Sequence, residues 1–316
     1  MSELPASVRV REVGPRDGFQ NEPEVIATER KIELIDALAH TGLRRLEVTS
    51  FVRADVIPQL ADAREVLAGI DVPESVSVSL LIPNERGLDA ALELREHAAG
   101  TRPAFDEVNV FMSASETHNR KNVNRSVAES LAGLEAVLAR ARAEGLRCEG
   151  VISTSFGCPY EGHVPIQQVL EIAASLRDAG AQEVGFGDTT GMANPRQVGE
   201  FFALARDSLG SGLELTAHFH NTRGQGLANV LAALEVGVES FESSFGELGG
   251  CPVPAGATGN IATEDLVSML HEMGIETGID LPALLACARR VQEVLGRPLG
   301  SHTLVAGPVE WDPRPG

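Results

Sequence analysis

Residues 150–220 read GVISTSFGCPYEGHVPIQQVLEIAASLRDAGAQEVGFGDTTGMANPRQVGEFFALARDSLGSGLELTAHFH. Three short apolar runs (150–153, 183–187 and 214–218) alternate here with two segments of helical period (166–178 and 197–208). Pro165, Gly180 and Pro195 punctuate the joints. A strand–helix–strand–helix–strand order with short joints is the signature of parallel β/α units.

Outward from this stretch the alternation continues. Further strands are predicted at 8–13, 46–49, 76–82, 107–112 and 240–243. Helices are predicted at 29–39, 61–67, 88–97, 127–144 and 226–236, with another at 262–273 after the last strand. Eight strand–helix pairs with no long linker predict an α/β fold, a (β/α)8 TIM barrel. A doubly wound open sheet is the competing reading, but no GxGxxG follows the first strand. The whole chain, 1–316, is read as one catalytic domain: a barrel over about 8–275, then a C-terminal helix (281–295) and tail over about 276–316.

Composition agrees with this reading. Apolar residues make up 43% and aromatics only 4%, so the core is aliphatic. A net charge of −19 argues against nucleic acid and anionic membranes as partners, and an anionic substrate would need locally placed Arg and Lys. The four cysteines form no CxxC pair, which suggests reduced thiols and a cytoplasmic setting. The N-terminus lacks the apolar segment of a signal peptide, and no apolar run approaches the ~18 residues that span a bilayer.

In such a barrel, chemistry sits where strands end and βα loops begin. Four polar clusters fall there. Gly14-Pro15-Arg16-Asp17-Gly18 follows the first strand and reads as a local turn pair or as a metal-binding Asp beside an oxyanion-stabilising Arg. Glu47, inside the second strand, needs a partner if buried, and Arg16 is the obvious one. His218-Phe219-His220 ends the seventh strand, where alternation sends both imidazoles to one face. With an Asp from strand one, that is a mixed N/O ligand set suited to Mg²⁺, Mn²⁺, Co²⁺ or Zn²⁺ but not to a structural zinc site. Asp188, after strand six, reads as a turn residue or as a carboxylate orienting ligands. The Gly/Pro-rich loop 246–260 follows strand eight and carries Cys251 and Asn260. Long loops of this kind are commonly lids or binding loops.

These residues closely resemble the 3-hydroxy-3-methylglutaryl-CoA lyases, a family within the metal-dependent barrel group that also holds Claisen-type synthases. The matching segments are Arg16-Asp17, Glu47-Val48-Thr49-Ser50, Gly157-Cys158-Pro159-Tyr160-Glu161-Gly162, Gly187-Asp188-Thr189, His218-x-His220 and Gly249-Gly250-Cys251-Pro252 with Gly259-Asn260-x-Ala262-Thr263-Glu264-Asp265. The resemblance runs from about Val8 to Gly296. It implies a divalent metal, Mg²⁺ or Mn²⁺ before Co²⁺ or Zn²⁺, held by Asp17, His218, His220 and Asn260. It also implies Arg16, Cys251, His218, Glu47 and Asp188 as catalytic residues, with Arg16, Gln20, Ser50, Lys121 and Asn122 meeting an acyl-CoA substrate. The expected reaction is cleavage to acetyl-CoA and acetoacetate, in leucine degradation or ketone-body formation, by a homodimer. Two residues depart from the family pattern. Asn221 stands where His-x-His-Asp-Thr is usual, and Gly185 where a serine near the substrate hydroxyl is often found. These departures bear on the acyl group, leaving open a longer C3 branch or a citramalyl-type acid. A chain that stops soon after the barrel argues against the reverse, acyl-transferring reading.

Overall fold

In the computed structural model, which describes residues 4–96, 104–250 and 258–309, eight parallel strands close into a barrel in the order β1 to β8. The strands are β1 Arg9–Glu12, β2 Arg45–Ser50, β3 Ser77–Leu81, β4 Glu107–Ser113, β5 Arg147–Ser153, β6 Glu183–Asp188, β7 Glu214–Phe219 and β8 Ser240–Ser243. Their outward faces pack aliphatic side chains, and on β6 to β8 also Phe186, Phe219 and Phe241, against the surrounding helices. Gly150, for example, sits so close to α6 (Ile166–Asp178) that an added Cβ would lie 2.8 Å from Leu176. Among the described residues no helix is long and apolar enough to cross a membrane.

The inward faces hold the less expected chemistry. Following the strand register around the barrel, with the one-residue rise per strand that its tilt requires, sorts the inward side chains into layers of four from alternate strands. From the N-terminal end upward they are Arg45, Glu107, Glu183 and Ser240; Arg11, Ser79, Glu149 and Thr216; Glu47, Asn109, Gly185 and Glu242; then Val13, Leu81, Val151 and His218. The two lowest layers form an ionic lattice. Arg11, 1% exposed, pairs with Glu149, Glu242 (2.8 Å), Glu107 (3.3 Å) and Glu183 (3.2 Å). Arg45 joins Glu107 and Glu183 at 2.6 and 2.5 Å.

This lattice explains one misjudged boundary. The fifth strand begins at Arg147, not at 150, because Arg147 and Glu149 are strand residues whose charges are answered inside the barrel. Residues 119–124, expected to be a segment after strand four, belong mostly to a helix, α4 (Glu116–Val123). Ser115 caps its first turn, and Asn124 ends it in the left-handed conformation (φ 55°). The C-terminal extension forms α10 (Leu281–Leu295) and α11 (His302–Ala306), and the tail from 310 lies outside the described residues.

Candidate metal and acyl site

The C-terminal mouth of the barrel collects the predicted ligands. Beyond β1 the chain makes a wide turn over Gly14–Gly18. Its first residue must be glycine, since a Cβ there would lie 2.7 Å from both Glu12 Oε1 and the Phe245 ring. The Glu12 carboxylate anchors the turn, accepting from Gly14 N (2.7 Å), Phe245 N (3.0 Å) and Thr263 Oγ1 (2.6 Å). Burial nonetheless pushes the Glu12 pKa up to about 8.

The turn presents Arg16 and Asp17. Arg16 reaches Glu47 with one terminal nitrogen (2.7 Å) and Asp17 with the other (2.8 Å), so Glu47 has the partner its burial requires. Asn109 Nδ2 donates to the other Glu47 oxygen at 2.5 Å. Asp17 Oδ1 also accepts from Gln20 Nε2 (2.9 Å), which places Gln20 against the candidate ligand. Burial works against the Asp17 charge, but Arg16 and the histidines hold its pKa below the usual value.

Strand alternation brings His218 and His220 together, with their Nε2 atoms 3.1 Å apart. His218 Nδ1 lies 2.9 Å from Glu242 Oε2. Burial would raise the Glu242 pKa, but the His218 hydrogen bond and the Arg11 charge outweigh it and bring it to about 2. An ionised Glu242 only accepts, so His218 Nδ1 carries the proton and His218 Nε2 is the atom turned to the mouth. Burial, reinforced by the neighbouring His218, lowers the His220 pKa to about 3 and keeps that imidazole neutral.

Asn260 is set beside His220 because the chain after the loop pairs with the end of β7: Ile261 N donates to Phe219 O and Asn221 N to Gly259 O. Its Nδ2 donates to Asp17 Oδ2 (2.8 Å) and Leu248 O (3.0 Å), leaving Oδ1 buried and without a partner. Gly249 permits this approach, since a Cβ there would lie 2.5 Å from Asn260 Nδ2. One ligand atom each from Asp17, His218 and His220 lies within 4.8 Å of the others. Converging imidazole nitrogens, a carboxylate and an unanswered amide oxygen fit a divalent cation.

Other predicted residues fall as follows. Asp188 ends β6, and its Oδ1 accepts from Met192 N (2.7 Å) and Ala193 N (3.0 Å). Its Oδ2 is buried and unpartnered, and burial pushes its pKa up to about 7. Ser50 closes β2 with its hydroxyl buried and unpartnered. Lys121 and Asn122 are exposed on α4, where the Lys121 ammonium lies 4.9 Å from the Tyr160 ring centroid. Cys251 lies outside the described residues. Gly185 sits one layer beneath His218, against Glu149 and Val151. Asn221 turns away to Glu247, donating at 2.8 Å.

The sequence reading missed Glu242 and Asn109. The available signal was parity: each shares the inward face with residues two positions away in the same strand.

Residues 7–291 match the family model HMGL-like. Hydroxymethylglutaryl-CoA lyase YngG of Bacillus subtilis is 47% identical over 300 residues, covering 95% of this chain and 97% of the relative. The mitochondrial hydroxymethylglutaryl-CoA lyase of Gallus gallus is 42% identical over 294 residues, covering 93% and 95%. An HMG-CoA lyase from Acinetobacter baumannii, solved in complex with coenzyme A and 3-methylmalate, superposes with a TM-score of 0.90 at 41% identity and full coverage of both chains. With the barrel and its mouth matched over nearly its whole length, this chain belongs to the HMGL-like family, among the hydroxymethylglutaryl-CoA lyases.

Proposed function

We propose that this protein is a metal-dependent carbon–carbon lyase that cleaves 3-hydroxy-3-methylglutaryl-CoA to acetyl-CoA and acetoacetate. The observation that carries the reading is the convergence of Asp17, His218 and His220 beside the Arg16 guanidinium. Asp17, His218, His220 and Asn260 would hold the cation, and their mixed N/O set suits Mg²⁺, Mn²⁺, Co²⁺ or Zn²⁺. When bound, such a cation supplies Lewis-acid polarisation of the substrate hydroxyl.

The rest of the chemistry belongs to the chain. A base takes the proton from the C3 hydroxyl, the C2–C3 bond breaks, and its electron pair moves onto C2 as the enolate of acetyl-CoA. Hydrogen bonds, and for Glu47 the ion pair with Arg16, narrow the choice of base. Asp17 is committed to Arg16, Gln20 and Asn260, Glu47 to Arg16 and Asn109, and His218 to Glu242 and the ligand cluster. Asp188 keeps one oxygen unpartnered, and burial tunes it close to neutrality, as general-base catalysis favours. Asp188 is therefore assigned as the base. Arg16 stabilises the enolate oxygen, and Cys251 is assigned on sequence grounds to protonate C2. Lys121, cationic on an acidic protein, is assigned to the CoA moiety.

The test is to incubate metal-loaded protein with 3-hydroxy-3-methylglutaryl-CoA and follow acetyl-CoA and acetoacetate together. Equimolar release is expected. Binding of the thioester without release of either product would refute the lyase reading.

A further inference from the structure

The lumen at the level of His218 has two unlike sides. One carries His218, Glu242, Glu47, Arg16 and Asp17. The other, on β3 to β5, carries Leu81, Phe111 and Val151. Val151 lies in the same layer of four as His218 and Leu81, and Phe111 lies in the layer above. Their inward orientation is fixed by neighbours of the same parity: Glu149 reaches Arg11 inside the barrel, and Asn109 reaches Glu47.

Exposure marks these positions out. Along β4, β5 and β6 every residue is buried except Phe111, Val151 and the terminal Arg147. On β7, His218 is the inward residue at the mouth that is also partly exposed. His218, Phe111 and Val151 are thus the inward side chains of these strands that keep partial exposure at the mouth. Gly185, beneath them, adds no side chain; a Cβ there would come within 3.6 Å of a Val151 methyl.

The substrate has a matching asymmetry. C3 of a 3-hydroxy-3-methylglutaryl thioester carries a hydroxyl, a carboxymethyl arm, a thioester arm and an alkyl group. The first three are polar and find partners among the cation ligands and Arg16, so the fourth must point away from them. Resting on the lyase reading above, we propose that Leu81, Phe111 and Val151 form the seat of the C3 alkyl substituent, and that the substrate class extends to 3-hydroxy-3-alkylglutaryl-CoA thioesters with a straight branch longer than methyl.

The chemistry of this wall also excludes. Leu81, Phe111 and Val151 offer no hydrogen-bonding side chain. Above them Ser113 and Ser153 bond to each other (2.7 Å), and Ser113 also bonds to His118 Nδ1 (2.6 Å). A charged group in the branch position would meet no charged partner among these three side chains.

The experiment compares C3-methyl, ethyl and n-propyl substrates on the metal-loaded wild type, Val151→Ala and Val151→Phe. Turnover and equilibrium binding are both measured, and thermal melts confirm folding. A methylene in an apolar pocket changes kcat/KM by about 10-fold or more. Wild type is expected to accept ethyl and n-propyl at least as well as methyl. Val151→Ala should raise the propyl-to-methyl ratio by about 10-fold, and Val151→Phe should lower it by about as much. Ratios within twofold of wild type in both folded variants, or a hundredfold rejection of ethyl by wild type, would overturn the proposal. Binding separates the two readings. If nothing is cleaved but affinity follows branch length and Val151, the lyase assignment fails and the seat stands. If neither turnover nor affinity responds, the seat fails.

Discussion

Two buried charged clusters share one barrel lumen and are built differently. At the N-terminal floor, Arg11 and Arg45 are each answered by several carboxylates, so the floor's polar atoms are nearly all spent on one another. At the C-terminal mouth, Asn260 Oδ1, His220 Nδ1, Asp188 Oδ2 and the Ser50 hydroxyl are buried without partners. Buried polar groups are ordinarily satisfied, so a local concentration of unsatisfied ones marks where a ligand belongs. The floor has its own exceptions, Arg11 Nε and Glu149 Oε1, and burial among carboxylates drives the Glu149 pKa far up. The floor closes on itself, whereas the mouth keeps donors and acceptors unspent.

The contrast predicts that equivalent charge removals have different consequences. The largest effect belongs to the floor. Arg11→Met removes the cation that Glu107, Glu149, Glu183 and Glu242 share, leaving Arg45 to answer Glu107 and Glu183 and His218 to answer Glu242. Breaking even one buried pair costs about 3–5 kcal/mol. The expected outcome is a melting temperature lowered by many degrees, or no soluble protein. A variant that melts like wild type would mean that the lattice contributes no stability.

Next comes Arg16→Met at the mouth. It too strands Glu47, so some stability is lost, but its distinguishing effect is kinetic. A donor that meets charge developing in the transition state is worth about 10²–10³ in rate, so kcat should fall with little change in KM. Arg16→Lys keeps the charge without the planar fork and should recover only part of the activity. Near-normal kcat in a folded Arg16→Met protein would reduce Arg16 to a structural partner of Glu47.

Glu242 joins the two regions, since one oxygen takes Arg11 from below and the other takes His218 from above. Glu242→Gln preserves shape but weakens the orientation of the ligand imidazole. Loss of such a partner costs 10- to 100-fold in metal affinity, read by direct Mn²⁺ titration and independently of turnover. Unchanged affinity would show that His218 orients itself.

The same contrast explains what the sequence could reveal. The barrel was legible because β-branched runs and helical segments alternate eight times, and that signal is local. His218 and His220 were legible because a spacing of two on a strand puts both on one face. The floor was not. Arg11 meets Glu149, Glu183 and Glu242, residues 138, 172 and 231 positions away, and nothing local announces that a charge in a strand will be answered from across the barrel. In β2 and β5 the leading charges therefore read as lying before the strand, which delays β2 by one residue and β5 by three. α4 escaped for another reason. Its Glu-Thr-His-Asn-Arg-Lys-Asn-Val has almost no apolar face, and it is held instead by the Ser115 cap and by Asn119, which bonds to Arg125 O, Ser126 O and Ser130 Oγ.

The smallest predicted effect is a pH dependence that tests whether Asp188 is the unspent base of the mouth. Burial is the leading cause of its upward shift to about 7, and the hydrogen bonds from Ala193 N and Met192 N oppose it without cancelling it. A base acts in its ionised form, so kcat/KM should rise with pH to a plateau. A bound dication favours the carboxylate, so the midpoint in the loaded enzyme lies at or below about 7. At a midpoint of 7 the ionised fraction changes about tenfold between pH 6 and 8, and a lower midpoint shrinks the change without reversing its sign. Loss of metal at low pH would give a similar limb, so metal occupancy is measured across the same range. Asp188→Asn cannot ionise, and the limb should vanish along with most of the activity while occupancy stays high. A limb that persists in Asp188→Asn, or one that tracks metal occupancy in wild type, would move the base elsewhere in the mouth and leave Asp188 as the residue that shapes the turn at Met192 and Ala193.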